Sequence, residues 1–354
     1  MFIAISIIWA NSPGIPAPYL NERNDVIAGS ISEKVFVPIR GAKQGMFIKS
    51  KDSGNPVLLY VHGGMPLYFL TKKYATGLED SFTVVWWDQR GSGISYDALD
   101  PEEKLHSEQL IKDLLAVTQY LKKRFGKQKI YLMGHSGGTY IAIQAAAQNP
   151  ELFYAYIGVS QMSDQLRSER IAYQHLLSHY RENGDGAMVQ KLLSAPVLID
   201  IPEAYLKIRD QAMHSMGAGT THDMKSVITG VFMSSWLFPD YTMREKVNMW
   251  RGKARSGVHP LWTEMLSTDL SKKVPKLEIP VYFISGIYDY TVSYPTSKEY
   301  FQSLEAPVKG FYSFENSAHS PFLEEPDKMN RILKEDVLHG LVNLSDAKQN
   351  PPLY

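Results

Sequence analysis

Cysteine is absent from all 354 residues. That absence removes disulfides, thiolate metal sites and a cysteine nucleophile together. It leaves the compartment undetermined between cytoplasmic and membrane-anchored. An excess of charge is also missing, since Lys and Arg number 37 and Asp and Glu number 37. No overall field therefore draws the protein to nucleic acid or to an anionic bilayer. The chain has no apolar run of the roughly 20 residues that a membrane-crossing helix needs. Met1 to Ala10 (MFIAISIIWA) is nearly all apolar but breaks at Asn11-Ser12-Pro13-Gly14. It lacks the basic start and small-residue cleavage site of a signal peptide. Two readings stay open for it: an element packed on the domain, or the end of a longer membrane anchor. Nothing in the pattern fixes an oligomeric state.

What is present is an ordinary folded composition, 44% hydrophobic, 12% aromatic and 21% charged. A chain of this length outgrows a single core and suggests one large α/β unit with a second unit inserted. Residues 30–47 alternate apolar and polar in two runs around Gly41, as an antiparallel hairpin at a sheet edge does. Five continuous apolar runs follow, at 57–61, 82–87, 130–133, 154–159 and 281–284. Continuous runs are expected of parallel strands covered by helices on both faces. Leu110, Leu114, Val117 and Leu121 share one face of a helix that Gly126 closes. The alternation predicts a doubly wound, mostly parallel sheet.

Between about 161 and 277 the strand signal disappears, and nine of the fourteen methionines fall there. The segment reads as a mainly helical cap inserted into a core of residues 30–160 and 278–354, behind an N-terminal apolar and Pro-rich segment, 1–29. Its aromatics serve mostly as that unit's own core. Some of its side chains, with Trp236, Phe232 and Met233 as candidates, line an adaptable apolar pocket together with Met65 and His135.

Ser136 stands at the centre of Gly134-His135-Ser136-Gly137-Gly138, between an apolar strand and a helix. Chance alone gives about 0.1 such patterns in a chain of this length, so the context carries the reading. A turn from strand to helix sharp enough to present a serine requires minimal residues two before and two after it. A serine hydroxyl needs a base, and the base an orienting carboxylate. Asp289 and His319 supply these in the order and at the spacing the fold allows, with Asp164 as a substitute acid. Backbone N–H groups of Gly137 and Gly64 are the candidates for an oxyanion hole, and His62 braces the loop beside them. His175 and His179 have helical spacing but no HExxH pattern, and neither a metal nor a cofactor is expected.

The set His62-Gly63-Gly64, Trp87-Asp88-Gln89-Arg90-Gly91-Ser92-Gly93, Gly134 to Gly138, Asp289 and Ala318-His319-Ser320-Pro321-Phe322 resembles the proline iminopeptidase-like branch of the α/β-hydrolases. The resemblance implies that fold, a helical cap, and a triad of Ser136, Asp289 and His319. The branch usually reads HGGPG where this chain has Met65-Pro66, and Trp where it has Gly137. These departures favour a serine esterase acting on an apolar ester or lactone, including a macrocyclic lactone such as a macrolide. The rival is aminopeptidase activity on short peptides beginning with proline. It requires a pocket carboxylate, for which Glu169, Glu203 and Glu264 are candidates. A non-catalytic binding module on the same fold is the third reading.

Overall fold

A computed structural model describes residues 2–100, 102–256 and 260–346, with side chains from Ser6 onward. Eight strands form one sheet: β1 (Ile31–Ile39), β2 (Ala42–Ser50), β3 (Val57–Val61), β4 (Thr83–Trp87), β5 (Ile130–His135), β6 (Phe153–Val159), β7 (Val281–Gly286) and β8 (Lys309–Phe314). Their spatial order is β1-β2-β4-β3-β5-β6-β7-β8. β1 and β2 pair antiparallel through a two-residue turn in which Arg40 and Gly41 both take positive φ, 47° and 79°. That conformation matches the twist of adjoining strands and is readily adopted by glycine. Of this hairpin only β1 lies at an edge, because β2 pairs antiparallel with β4, and β8 forms the opposite edge. The other pairings are parallel.

The continuous apolar runs are strands buried on both faces. Leu59, Val61, Val85 and Trp87 enter one cluster, while Leu58, Tyr60, Val84 and Trp86 enter the other. The period-2 geometry of a strand sends neighbours to opposite sides. Helices α2 (Ser107–Phe125) and α3 (Gly137–Gln148) follow β4 and β5. α2 ends where Gly126, at φ 62°, turns left-handed and donates to Lys122 O. α11 (Tyr294–Ser303) follows β7, and α12 (Pro321–Glu324) and α13 (Pro326–Glu335) follow β8. The N-terminal apolar run is helical, α1 (Phe2–Ala10), with Ile7 and Trp9 exposed. Buried Lys246 holds its exit by donating to Ser12 Oγ at 2.9 Å and to Trp236 O at 2.7 Å. Among the described residues no helix is long and apolar enough to cross a membrane.

The chain between β6 and β7 runs through α4 (Gln165–Glu182), α5 (Gly186–Leu193), α6 (Glu203–Met216), α7 (Met233–Trp236), α8 (Met243–Ser256), α9 (Pro260–Ser267) and α10 (Leu270–Lys273). Its first half has a core of its own, built on Tyr173, Leu176, Leu192, Tyr205 and Met213. Among the described residues its second half forms no such separate core. Phe238 and Tyr241 join Phe47, Tyr68 and Trp86 over the sheet, with Phe47 and Tyr68 rings stacked at 4.4 Å. The expectation that these aromatics form a separate core therefore fails at Phe238 and Tyr241. The sheet offered a larger apolar face than the short helices around them.

Candidate active site

The strand order changes direction at β3, which has β4 on one side and β5 on the other. In open α/β sheets a crevice forms beyond the C-terminal strand ends at such a point. Ser136 sits there, directly after β5, with φ 57° and ψ −131°. A non-glycine residue at positive φ is strained, and such strain persists only where the surroundings hold it. Here the Ser136 N–H donates to Val159 O at 3.0 Å, and its carbonyl accepts from Thr139 N at 2.9 Å. The flanking glycines are obligatory. A Cβ at Gly138 would lie 2.1 Å from Val61 O, and one at Gly134 would lie 2.8 Å from Thr139 Cα.

His319, on the loop after β8, and Asp289, after β7, meet through His319 Nδ1 at 2.9 and 3.1 Å from the two carboxylate oxygens. Asp289 also accepts from the N–H groups of Thr291 and Val292 at 2.9 and 3.0 Å. Burial would raise its carboxyl, but the His319 imidazole and the hydrogen bonds it accepts bring it below the ordinary carboxylate range. Ser136 and His319 line one cavity of about 530 Å³. Asp164 is elsewhere engaged, accepting from Arg167 N at 2.9 Å as the N-cap of α4.

Gly63 and Gly64 line the same cavity, as does Gly137. Their constraints differ. A Cβ on Gly63 would lie 2.8 Å from Ser136 Cβ and 2.9 Å from Gly137 N, whereas one on Gly64 would meet only Lys253 Nζ at 3.4 Å. His62 holds this loop by donating from Nδ1 to Gly63 O at 2.8 Å and accepting the Gln89 N–H on Nε2 at 3.1 Å. Burial lowers it to about 4, so it stays neutral. A side chain at position 137 would approach Met265, whose methyl lies 3.5 Å from the Cβ site.

Of the pocket candidates, Met65 and His135 line the cavity. His135 is also a brace: it donates from Nε2 to His319 O at 2.8 Å and accepts from Tyr60 Oη at 3.1 Å. Burial, then the neighbouring His319, push it down to about 3. Phe232, Met233 and Trp236 are not on the wall. Phe232 and Met233 are 40% and 44% exposed, and the Phe232 ring packs from outside on Trp250, which is the residue that faces the cavity. For Phe232 the Trp250 ring of α8 takes the place on the wall, a screen that local sequence does not reveal.

Among the three carboxylate candidates, Glu169 lines the cavity, buried and held by Arg209 Nε at 2.7 Å and Gln165 Nε2 at 3.1 Å. Glu203 is a surface residue paired with Lys207. Glu264 accepts from Ser107 N at 3.0 Å and from His106. Sequence reasoning missed Asp210, Arg209 and Lys253, all on the cavity wall. Arg209 bonds Asp210 at 3.0 Å, yet the Asp210 side chain remains 55% exposed, open to the cavity. Burial would raise that carboxyl, and Arg209 followed by Lys253 holds it below its ordinary value. His175 stacks on Tyr290 at 3.8 Å, and among the described residues no cluster suits a metal ion.

The sequence profile of the alpha/beta hydrolase fold matches residues 56–326. The chain belongs to the α/β-hydrolase family. This α/β-hydrolase is 35% identical over 317 residues to the probable aminopeptidase YbaC of Bacillus subtilis (strain 168), covering 88% of this chain and 98% of that protein. It is 25% identical over 302 residues to the bifunctional esterase/perhydrolase DCH of Acinetobacter calcoaceticus, covering 82% and 96%. Its structure is similar to the proline iminopeptidase of Mycobacterium smegmatis, with a TM-score of 0.60 and 15% identity over 87% of this chain and 98% of that one. The resemblance to the proline iminopeptidase-like branch thus extends from motifs to the whole fold. For the last pair, at that identity, the likeness concerns the fold alone.

Proposed function

We propose that this hydrolase is an aminopeptidase that releases an N-terminal residue from short peptides through an acyl-enzyme on Ser136. In this reading His319 removes the Ser136 proton and returns it to the leaving amine, with Asp289 orienting the imidazole. The N–H groups of Gly137 and Gly64 hold the oxyanion, and residues 161–277 act as a cap over the substrate. The observation that carries the choice is Asp210, a carboxylate kept charged and open in the same cavity as Ser136. A free amine needs such a partner, and an apolar ester does not. The likeness to a probable aminopeptidase along nearly its full length points the same way.

A second reading, hydrolysis of an ester or lactone, macrocyclic lactones included, draws on the apolar wall of Val227, Val231, Trp250, Trp262 and Met265 and on the esterase relative. The deciding experiment compares proline p-nitroanilide, its N-acetyl form, a p-nitrophenyl ester and a macrolide panel on the wild type and Ser136→Ala. Turnover of the free-amine anilide, lost by at least about 10⁴-fold in the variant and absent for the acetylated form, is expected. Ester or macrolide turnover without the anilide would transfer the assignment to the second reading. Anilide turnover that survives Ser136→Ala would remove Ser136 from the mechanism.

A further inference from the structure

Helix α8 brings a second charge of known position to the cavity. A Cβ on Gly64 would stand 3.4 Å from Lys253 Nζ, so the ammonium lies over the glycine loop beside Ser136. Lys253 lines the cavity with Ser136, Gly137 and His319. Among the described residues it joins no ion pair, in contrast to Arg209 on the same wall, which is committed to Glu169 and Asp210.

Its backbone is not free to drift. The preceding residue, Gly252, packs so closely on the Gly91-Ser92 turn that a Cβ there would lie 2.6 Å from Gly91 O and 3.3 Å from Ser92 Cα. Arg244 donates to Asp97 at 2.8 Å from the start of the same helix. The DQRGSG motif thereby ties two helices together. Its Arg90 grips Asp113 of α2 in a bidentate pair at 2.8 and 3.1 Å, and its Gly91 seats α8, which sets where Lys253 reaches.

We propose that Lys253 binds the C-terminal carboxylate of a dipeptide, making the residue after the scissile bond the last one of the preferred substrate. The proposal rests on the aminopeptidase reading and narrows it to chain length. In a dipeptide the carboxylate carbon is separated from the scissile carbonyl carbon by only the amide nitrogen and one Cα, less than about 4 Å in a straight line at standard bond lengths and angles. A group that grips it must therefore stand next to the oxyanion loop, where Lys253 stands. Asp210 supplies the opposite charge for the ammonium end, and Lys253 is near enough to lower its pKa. The wall presents two opposite charges to a zwitterion.

The test measures kcat and KM for Pro-Gly and Pro-Gly-amide with the full chain, K253M and K253R. Wild type is expected to favour the free carboxylate by about tenfold or more in kcat/KM, the size of a charge-assisted hydrogen bond, carried in KM. K253M should collapse that ratio toward one, and K253R should keep most of it. Absence of discrimination in the wild type, or an equal loss of kcat on both peptides in K253M, would overturn the proposal; the latter would make Lys253 part of the oxyanion field. If neither peptide is cleaved but phenyl acetate is, the aminopeptidase reading falls by itself. The pair of phenyl acetate and carboxyphenyl acetate then tests Lys253, and equal turnover of the two would overturn its role.

Discussion

The two walls of the cavity are built on different principles. The sheet-side wall carries Ser136, Gly63 and His319 on loops whose backbone clearances leave no room for a single added carbon, 2.1 Å at Gly138 and 2.8 Å at Gly63. The helical wall carries Glu169, Arg209, Asp210 and Lys253 on charged side chains from three helices, α4, α6 and α8. Close-packed backbone fixes position within tenths of an ångström, which bond-making requires. Charged side chains open to solvent can be exchanged with little effect on the fold, which suits recognition. Under the proposed function, reaction and selectivity are thus separable within one cavity.

The largest effect expected on this division lies in the helical wall itself, because the buried Glu169–Arg209 pair is not exchangeable as Asp210 and Lys253 are. Glu169 is buried with Arg209 as its cation. R209M leaves a buried carboxylate unpaired, and urea unfolding should register a loss of about 3–5 kcal/mol. An unchanged midpoint would mean that water reaches Glu169 instead, and that this wall is as soft as the rest.

Next comes the glycine pair. G63A pushes a methyl against Ser136 and Gly137 N, and kcat should fall by about 10²-fold or more. G64A meets only the tip of a flexible lysine and should stay within about tenfold of wild type. Equal losses would show that tight clearance is not what distinguishes the two positions.

Asp88 tests the sheet side by pH. Burial pushes its carboxyl up to about 8, opposed by the Ile94 N–H. The folded chain therefore keeps a proton that the unfolded chain has released above about 4, and stability declines as pH rises toward 8. Below about 6.5 the buried neutral His62 and His135, lowered to about 4 and about 3, oppose this decline, since the unfolded chain protonates them. Above it they no longer act. Between pH 6.5 and 8 the wild type should lose about 2 kcal/mol relative to D88N. Parallel stability curves for the two proteins would contradict a proton held on Asp88. The smallest effect belongs to D210N, for which KM of free-amine substrates should rise about tenfold, or by about 1.4 kcal/mol, with thermal stability unchanged. A selective loss of stability would make Asp210 a partner of Arg209 only.

The sheet and its turns were legible because their causes are local. The apolar runs of β3 to β7 are continuous since both faces are covered, and Gly126 and Gly41 mark chain reversals wherever they occur. Ser136, Asp289 and His319 were legible for a related reason: each follows a strand whose apolar run is plain, so each lies at the same end of a parallel sheet. Phe232, Met233 and Trp236 misled because an aromatic or methionine in a short helix suits a cavity wall, an outer surface or a shared core equally. Asp210 and Lys253 carried no signal at all, being ordinary charged residues on amphipathic helices.

The sequence by itself determined which residues bend sharply, which strands are buried and which three side chains follow them, because steric demands on glycine and strand periodicity act between neighbours in the chain. Only the tertiary structure decided which wall each helix of 161–277 presents to Ser136. That depends on how Gly252 seats against Gly91 and how Glu169 captures Arg209, contacts between residues far apart in sequence whose energy exists only once both elements have packed.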